Sequence, residues 1–427
     1  MSGDGRLMWI CSSLRVVVTL SNHGNRAPSE AASVWCPANM QNIEQYGAPF
    51  MQLTDLGMSQ LYEAGQHTRD LYVDKAQFLS PSLKQKHHFE AFFRADAAKS
   101  CGQSAAMFQN GLNPNNNEKK GWYPIPIIKQ LEENELEFSA TSGPCKDILN
   151  TDLDSYANAR GFRVLDQNRQ LIENIFNICG NNEPGSTQNT IDKINVIADM
   201  VKVDKNEKLP ALPKLTDDMY TSLQNLAFNQ MMERYLGTPR QVTYYLGGFP
   251  NLLLDNLFRT SKESYKLYAY TGHRGLLHGL GLVLGWSFDI PGEATAPAFN
   301  TTSLPPGATM YFELHEVDDI LTVQTYLWSP STPHTQVKLS KCSALDCPLD
   351  EFRTIFDHQI AATSSWETIC NYHPQKAVRN LHFGSTPEAE SQTSIIMLAV
   401  IVLCTTFAIV SAYQRIHQFR RRQYTQI

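Results

Sequence analysis

Two histidines and three arginines in this sequence stand where an α/β protein keeps its chemistry. Val16-Val17-Val18-Thr19-Leu20 is a β-branched run that breaks into Ser21-Asn22-His23-Gly24-Asn25-Arg26. An imidazole three residues before a guanidinium, in the loop at the carboxyl end of a strand, sets a nucleophile beside an anion-binding group. Arg94 closes a second apolar run, Phe89 to Phe93, and a third run, Tyr265 to Tyr270, ends in Thr271-Gly272-His273-Arg274. Guanidinium groups grip phosphate oxygens in a bidentate fork. Any one of these residues alone reads as an ordinary surface or core side chain. Three strand ends on one sheet edge read as an anion site.

The elements that must position these residues are legible in part. Arg15 to Leu20 is the first strand. From Leu53, with Thr54 as N-cap, apolar residues recur near a 3.6 period to Tyr72 and predict a helix. A strand over Phe89 to Phe93 and a helix over 97–108 follow. Lys129 to Leu236 is polar, asparagine-rich and poor in β-branched runs, with weak helices near 166–179 and 217–235. The chain then regains α/β character: a helix over 251–258, a strand over 265–270, a helix over 276–284, and a hairpin from Met310–Leu314 and Ile320–Leu327. Strand–helix alternation broken by a helical block predicts an α/β core with an inserted cap. The expected layout is a core of residues 15–125 and 240–375, a cap over 126–239, a linker over 376–393, a membrane span over 394–413 and a tail over 414–427.

The span rests on twenty residues without a charge, Ser394 to Tyr413, long enough to cross a ~30 Å hydrocarbon core. Arg415, Arg420, Arg421 and Arg422 follow, which favours a cytosolic tail and a body that is lumenal or extracellular. Residues 1–413 carry 32 basic against 42 acidic side chains. An acidic body with no basic, aromatic-interleaved stripe argues against nucleic-acid binding. The signal that a lumenal body needs has one candidate, Leu7 to Leu14 behind Arg6, which is short and has no cleavage site. A start upstream of Met1, or tail anchoring of a cytosolic body, are the alternatives. The nine cysteines form no CxxC and no zinc-like spacing, so neither a metal nor another cofactor is expected. Cys342 and Cys347 can close a small disulfide loop, and Asn300-Thr301-Thr302 is a glycosylation sequon. HExxH, GxSxG and lysine-bearing phosphate loops are absent, and oligomeric state stays open, a homodimer included.

The chain resembles the histidine acid phosphatases from about residue 15 to 375. His23-Gly24-Asn25-Arg26-Ala27-Pro28 is similar to their Arg-His-Gly-x-Arg-x-Pro signature without its first arginine. Leu53 to Gln60, Phe93-Arg94-Ala95-Asp96 with Ser104-Ala105, Gly272-His273-Arg274, Leu304 to Ala308 and Cys342 to Pro348 continue the likeness. The resemblance implies a three-layer α/β sandwich with a mostly parallel central sheet, of the phosphoglycerate mutase-like kind. It implies phosphomonoester hydrolysis through a phosphohistidine at His23, with Arg26, Arg94 and His273 holding phosphate. It also implies disulfides Cys342–Cys347 and Cys145–Cys370. The family's remaining bridge would run from Cys179 to the position of Met310, leaving Cys179 free or paired with Cys36 or Cys101.

Two positions depart from that pattern. Asn22 stands where the family has a phosphate-binding arginine, and Arg274 where it has the aspartate that protonates the leaving alcohol. An arginine supplies no proton at a working pH. Loss of a general acid costs ~10²–10⁴ in rate. Arg274 either reaches the phosphate and restores anion affinity, or turns to solvent or to a carboxylate such as Glu316. The expectation is a weakened phosphatase, with its acid lost or displaced to another residue; the alternative is an inactive relative that binds phosphorylated ligands or a protein partner.

Overall fold

The computed structural model describes residues 13–84, 88–114, 125–181, 185–259, 264–288, 296–297 and 304–373. Of the candidate signal at Leu7–Leu14 only Ser13 and Leu14 are described, as the start of the first strand; the sequon at Asn300, the linker, the span over 394–413 and the tail lie outside the described residues. Among the described residues no helix is long and apolar enough to cross a membrane. The described elements up to Tyr372 belong to one unit, the helical block included.

The main sheet is built from β1 (Ser13–Asn22), β2 (Ala91–Ala95), β3 (Ile127–Ile128), β4 (Leu267–Gly272), β5 (Thr309–Val317), β6 (Ile320–Ser329), β7 (Thr332–Gln336) and β8 (Cys347–Pro348). Its order is β8-β6-β5-β1-β4-β2-β3, with β7 on β6. β1, β4, β2 and β3 run parallel. The hairpin β5–β6 joins β1 antiparallel, and β7 and β8 extend that half. The sheet is therefore mixed rather than mostly parallel: the expected hairpin docks on β1, the strand that leads into His23, and makes half the sheet antiparallel.

Period-two alternation distributes the side chains to two cores. Val16, Val18 and Leu20 of β1, Tyr268 and Tyr270 of β4, and Met310, Phe312 and Leu314 of β5 face one layer. It is covered by α8 (Phe249–Phe258), α9 (Arg274–Leu284) and α10 (Leu349–Thr363), through Leu253, Leu257, Leu276, Leu280 and Phe352. Val17, Leu267, Ala269 and Tyr311 face the other layer, covered by Leu61 and Ala64 of α1 (Asp55–Arg69) and Phe108 and Leu112 of α2 (Lys99–Leu112). Both faces of the strands are apolar because both are covered.

The helical block holds α3 (Lys146–Tyr156), α4 (Arg169–Cys179), α5 (Thr187–Asn206) and α6 (Asp217–Leu236), followed by α7 (Pro239–Leu246). Ile172 and Ile175 of α4, Ile194, Ile197 and Val201 of α5, and Leu223 and Leu226 of α6 share a core with Ala32, Cys36 and Ile43. The stretch just after the His23 loop is thus built into this block. Cys36–Cys179 locks the two together, 143 residues apart in sequence. Cys145–Cys370 and Cys342–Cys347 are also bonded, and Cys101 is a buried free thiol.

Candidate active site

The loop that carries His23 has every backbone N–H from Asn22 to Asn25 satisfied. Asn22 donates to Ala308 O at 2.8 Å and His23 to Gly272 O at 3.1 Å. Gly24 donates to Ser104 Oγ at 3.1 Å and Asn25 to Gln60 Oε1 at 2.8 Å. Three elements and the turn before β5 hold the loop, so its geometry is set before any ligand arrives. Gly24 and Gly57 meet backbone to backbone: a Cβ on Gly57 would lie 1.9 Å from Asn25 O, and one on Gly24 2.3 Å from Gly57 O. Glu207, just past α5, accepts hydrogen bonds from Asn25 Nδ2 and, at 2.5 Å, from Thr54 Oγ1.

This loop opens into a cavity of about 290 Å³ lined by Asn22, His23, Arg26, His273 and Arg274 from the sheet side and by Asp199, Lys202 and Asn206 from α5. Gly275, next to Arg274 at the start of α9, lines it as well, and the N-cap His273 makes no side-chain cap. A helix N-terminus with free N–H groups favours an anion. Arg26, Arg274, Lys202 and His273 face a single carboxylate, Asp199, among the lining residues. Asp199 Oδ2 accepts from Arg26 Nη2 at 3.0 Å. Burial would raise its carboxyl, but Arg26, Arg274, His23 and Lys202 outweigh that and hold it below the usual range. Burial and Arg274 pull the Lys202 ammonium down to about 8, against Asp199.

The two imidazoles lie edge to face with centroids 5.3 Å apart and are driven in opposite directions. His23 is lowered to about 3 by burial, by His273 and by Arg26. Its Nδ1 lies 2.8 Å from Gly24 O, an acceptor, so Nδ1 carries the proton and Nε2 keeps its lone pair. His273 is pushed up to about 10, chiefly by the Cys101 sulfur and against burial, with Asp96 adding a hydrogen bond and charge. His273 Nε2 stands 3.4 Å from Asp96 Oδ1 and 3.8 Å from Cys101 Sγ. Burial would raise Asp96, but His273, Ser139 and the Ala98 N–H bring it down to about 2. Two like groups are held in opposed protonation states: His23 neutral, with a free lone pair on Nε2, and His273 a cation. The donor atoms of Asp96, Cys101 and His273 lie within 4.8 Å of one another, close enough to hold a metal ion. Their separations are also those of a hydrogen-bonded chain that completes itself.

The other expected site residues divide. Arg274 turns into the cavity; Glu316, its alternative partner, pairs instead with Arg15 at 2.8 Å. Asn22 is buried at the cavity wall, its Nδ2 donating to Pro305 O at 3.2 Å, and brings no charge. Arg94 does not reach the cavity. Its Nη2 is bound by Glu135 Oε1 at 2.9 Å and Glu137 Oε2 at 2.6 Å, and its guanidinium lies over the Phe138 ring. Two carboxylates neutralise the expected phosphate ligand, and Lys202 supplies the cavity's further cation. Asp199, Lys202 and Asn206 were not singled out from the sequence. A signal for their helix was present: Ile191, Ile194, Ile197, Ala198 and Val201 fall on one face, behind the N-cap Ser186.

A three-layer α/β sandwich that sets a neutral imidazole among cations at the carboxyl edge of its sheet belongs to the class of phosphoryl-transfer proteins that use histidine. The model of the histidine phosphatase superfamily (branch 2) matches residues 13–339, and the chain belongs to that family. Lysosomal acid phosphatase of Xenopus laevis is 23% identical over 408 residues, covering 92% of this chain and 86% of the relative. The Homo sapiens lysosomal acid phosphatase is 24% identical over 373 residues, covering 84% and 80%. The Homo sapiens prostatic acid phosphatase is 23% identical over 378 residues, covering 84% and 89%. Among solved structures, the phytase from Citrobacter braakii has a similar fold, with a TM-score of 0.62 at 16% identity over 81% of this chain and 98% of that one. Phosphomonoester hydrolysis is the general activity that this membership supports.

Proposed function

We propose that the chain is a histidine acid phosphatase-like phosphomonoesterase that forms a phosphohistidine at His23. The observation that carries this reading is the neutral His23 ring, its Nδ1 fixed on Gly24 O, facing a cavity lined by Arg26, Arg274 and Lys202. Nε2 attacks phosphorus, the cations hold the non-bridging oxygens, and water then releases phosphate. Asn22 and Arg274 replace a phosphate-binding arginine and a proton-donating aspartate, so turnover of esters with poor leaving groups is weakened. Arg274 partly offsets the charge missing at Asn22. The body works in a lumenal or extracellular compartment, which three disulfides support, anchored by residues 394–413.

The test is hydrolysis of an aryl phosphate by the purified protein and by His23→Ala. Turnover together with a base-stable, acid-labile phosphoenzyme, both lost in the variant, is expected. Arg274 in the cavity favours a second reading, a phosphate-binding relative without turnover. Thermal protection by inorganic phosphate with no hydrolysis of either aryl or alkyl esters would select it.

A further inference from the structure

A phosphatase of this kind needs a group that gives a proton to the departing alkoxide and takes one from the incoming water, and Arg274 can do neither. Among the residues that line the cavity, five besides the arginines can carry a proton. His23 is the nucleophile. His273 is committed to Asp96 and Cys101, at 3.4 and 3.8 Å. Lys202 has Arg274 and Asp199 as its charged neighbours, not His23. Tyr245 is a phenol that burial raises well out of any working range. Asp199 is the carboxylate left, and its field includes both His23 and Arg274. One of its oxygens is held by Arg26; the other has no hydrogen-bond partner among the described residues, and the side chain is 37% exposed.

We propose that Asp199, projected into the cavity by cap helix α5, is the proton carrier for the reaction at His23, in place of the carboxylate that position 274 lacks. The acid has moved from the sheet wall of the cavity to the cap wall, and a cation has taken its former place. This rests on the phosphomonoesterase reading above.

The proton balance closes. A monoester enters as its monoanion, and its proton passes to the Asp199 carboxylate as the phosphate dianion settles against Arg26 and Arg274. His23 Nε2 forms a bond to phosphorus, the ester P–O bond breaks, and the carboxyl proton goes to the leaving oxygen, giving alcohol and phosphohistidine. Water oxygen then bonds to phosphorus, the N–P bond breaks with its electron pair returning to Nε2, and the water proton goes to Asp199. The product phosphate takes that proton with it as its monoanion, which returns Asp199 to the carboxylate that the next ester meets. The ionised resting state matches the second half; a bound phosphate draws on the cations that otherwise hold the group ionised, which makes protonation easier in the first half.

The experiment compares 4-nitrophenyl phosphate, whose phenolate leaves without a proton, with glycerol 2-phosphate, whose alkoxide does not. Asp199→Asn is expected to lower alkyl-ester turnover by ~10²–10⁴, to release about one equivalent of nitrophenol in a burst, and to accumulate phosphohistidine. Asp199→Glu is expected to recover part of the alkyl-ester rate and lose the burst. If Asp199 does no more than hold Arg26, Asp199→Asn raises KM for both esters alike without a burst, and the proposal is overturned. It is equally overturned if Lys202→Met, and not Asp199→Asn, yields the burst. Thermal melts of both Asp199 variants separate lost chemistry from lost fold. A wild-type protein that hydrolyses neither ester, or one unaffected by His23→Ala, removes the phosphomonoesterase reading itself and this inference with it. Loss in His23→Ala with unchanged leaving-group dependence in Asp199→Asn removes only this inference.

Discussion

The depressed proton affinity of His23 makes a quantitative claim about pH. An imidazole with the ordinary value near 6.5 is neutral in only ~3% of molecules at pH 5. With the value lowered to about 3, nearly all of His23 is neutral at that pH. The sign follows from the attack: only the neutral ring has a lone pair on Nε2, so rate rises with pH through the His23 value and is flat above it. The acid limb of kcat/KM for 4-nitrophenyl phosphate, corrected for substrate ionisation, is therefore expected near pH 3, a ~30-fold advantage at pH 5 over an unperturbed histidine. His273→Asn removes the second-ranked cause, the neighbouring imidazolium, while burial remains. The limb then moves upward but stays below 6.5, whatever happens to the height of the plateau. A wild-type limb centred near 6.5, or one that stays put in His273→Asn, would refute the reasoning.

Three further outcomes follow from the geometry. Gly57→Ala pushes a methyl against Asn25 O, so it should destabilise by ~1–3 kcal/mol, as overpacking does, and lower kcat/KM by displacing the His23 loop; thermal melts and aryl-phosphate kinetics read both. Cys36→Ser opens a long loop and should cost about 2–4 kcal/mol, seen as a lower denaturant midpoint under non-reducing conditions and as equal stability of wild type and variant once the protein is reduced. Asn22→Arg combined with Arg274→Asp should raise kcat/KM on glycerol 2-phosphate by on the order of 10², the worth of one regained oxyanion donor; an unchanged rate would mean that neither position faces the reacting phosphate.

The sheet was legible because its strands carry their own signal. Val16 to Leu20 and Tyr265 to Tyr270 are dense in β-branched or aromatic residues, and each was placed to within a few residues. The long helix after Thr54 was found from its cap, whose side chain does accept from the Gly57 N–H at 3.1 Å. Helix α5 was harder, because it is two-sided. One face packs Ile194 and Ile197 into the block while the other turns Asp199, Lys202 and Asn206 to the cavity, so its average looks merely polar. Arg94 shows a different limit. A strand-end arginine reads as an anion ligand until its neighbours are known, and Glu135 and Glu137, some forty residues on, decide its role through tertiary contact. The mixed sheet escaped for the same reason: the hairpin was foreseen, its docking partner was not.

The two walls of the cavity are held by different means, and this sets how the protein should fail. β1 lies between β4 and β5, paired on both sides over Val17 to Ser21, so His23 is tied to the part of the fold that opens last. Asp199 and Lys202 ride on a helix packed in the block's smaller core and tied to the His23 loop only by polar side-chain bonds among the described residues, Arg26 to Asp199 and Asn206 to Asn25. Gentle heating or denaturant should therefore strip the α5 wall first and leave His23 standing in an open cleft. A protein in that state would still recognise phosphate while having lost its grip on the leaving group, so its selectivity would go before its fold does.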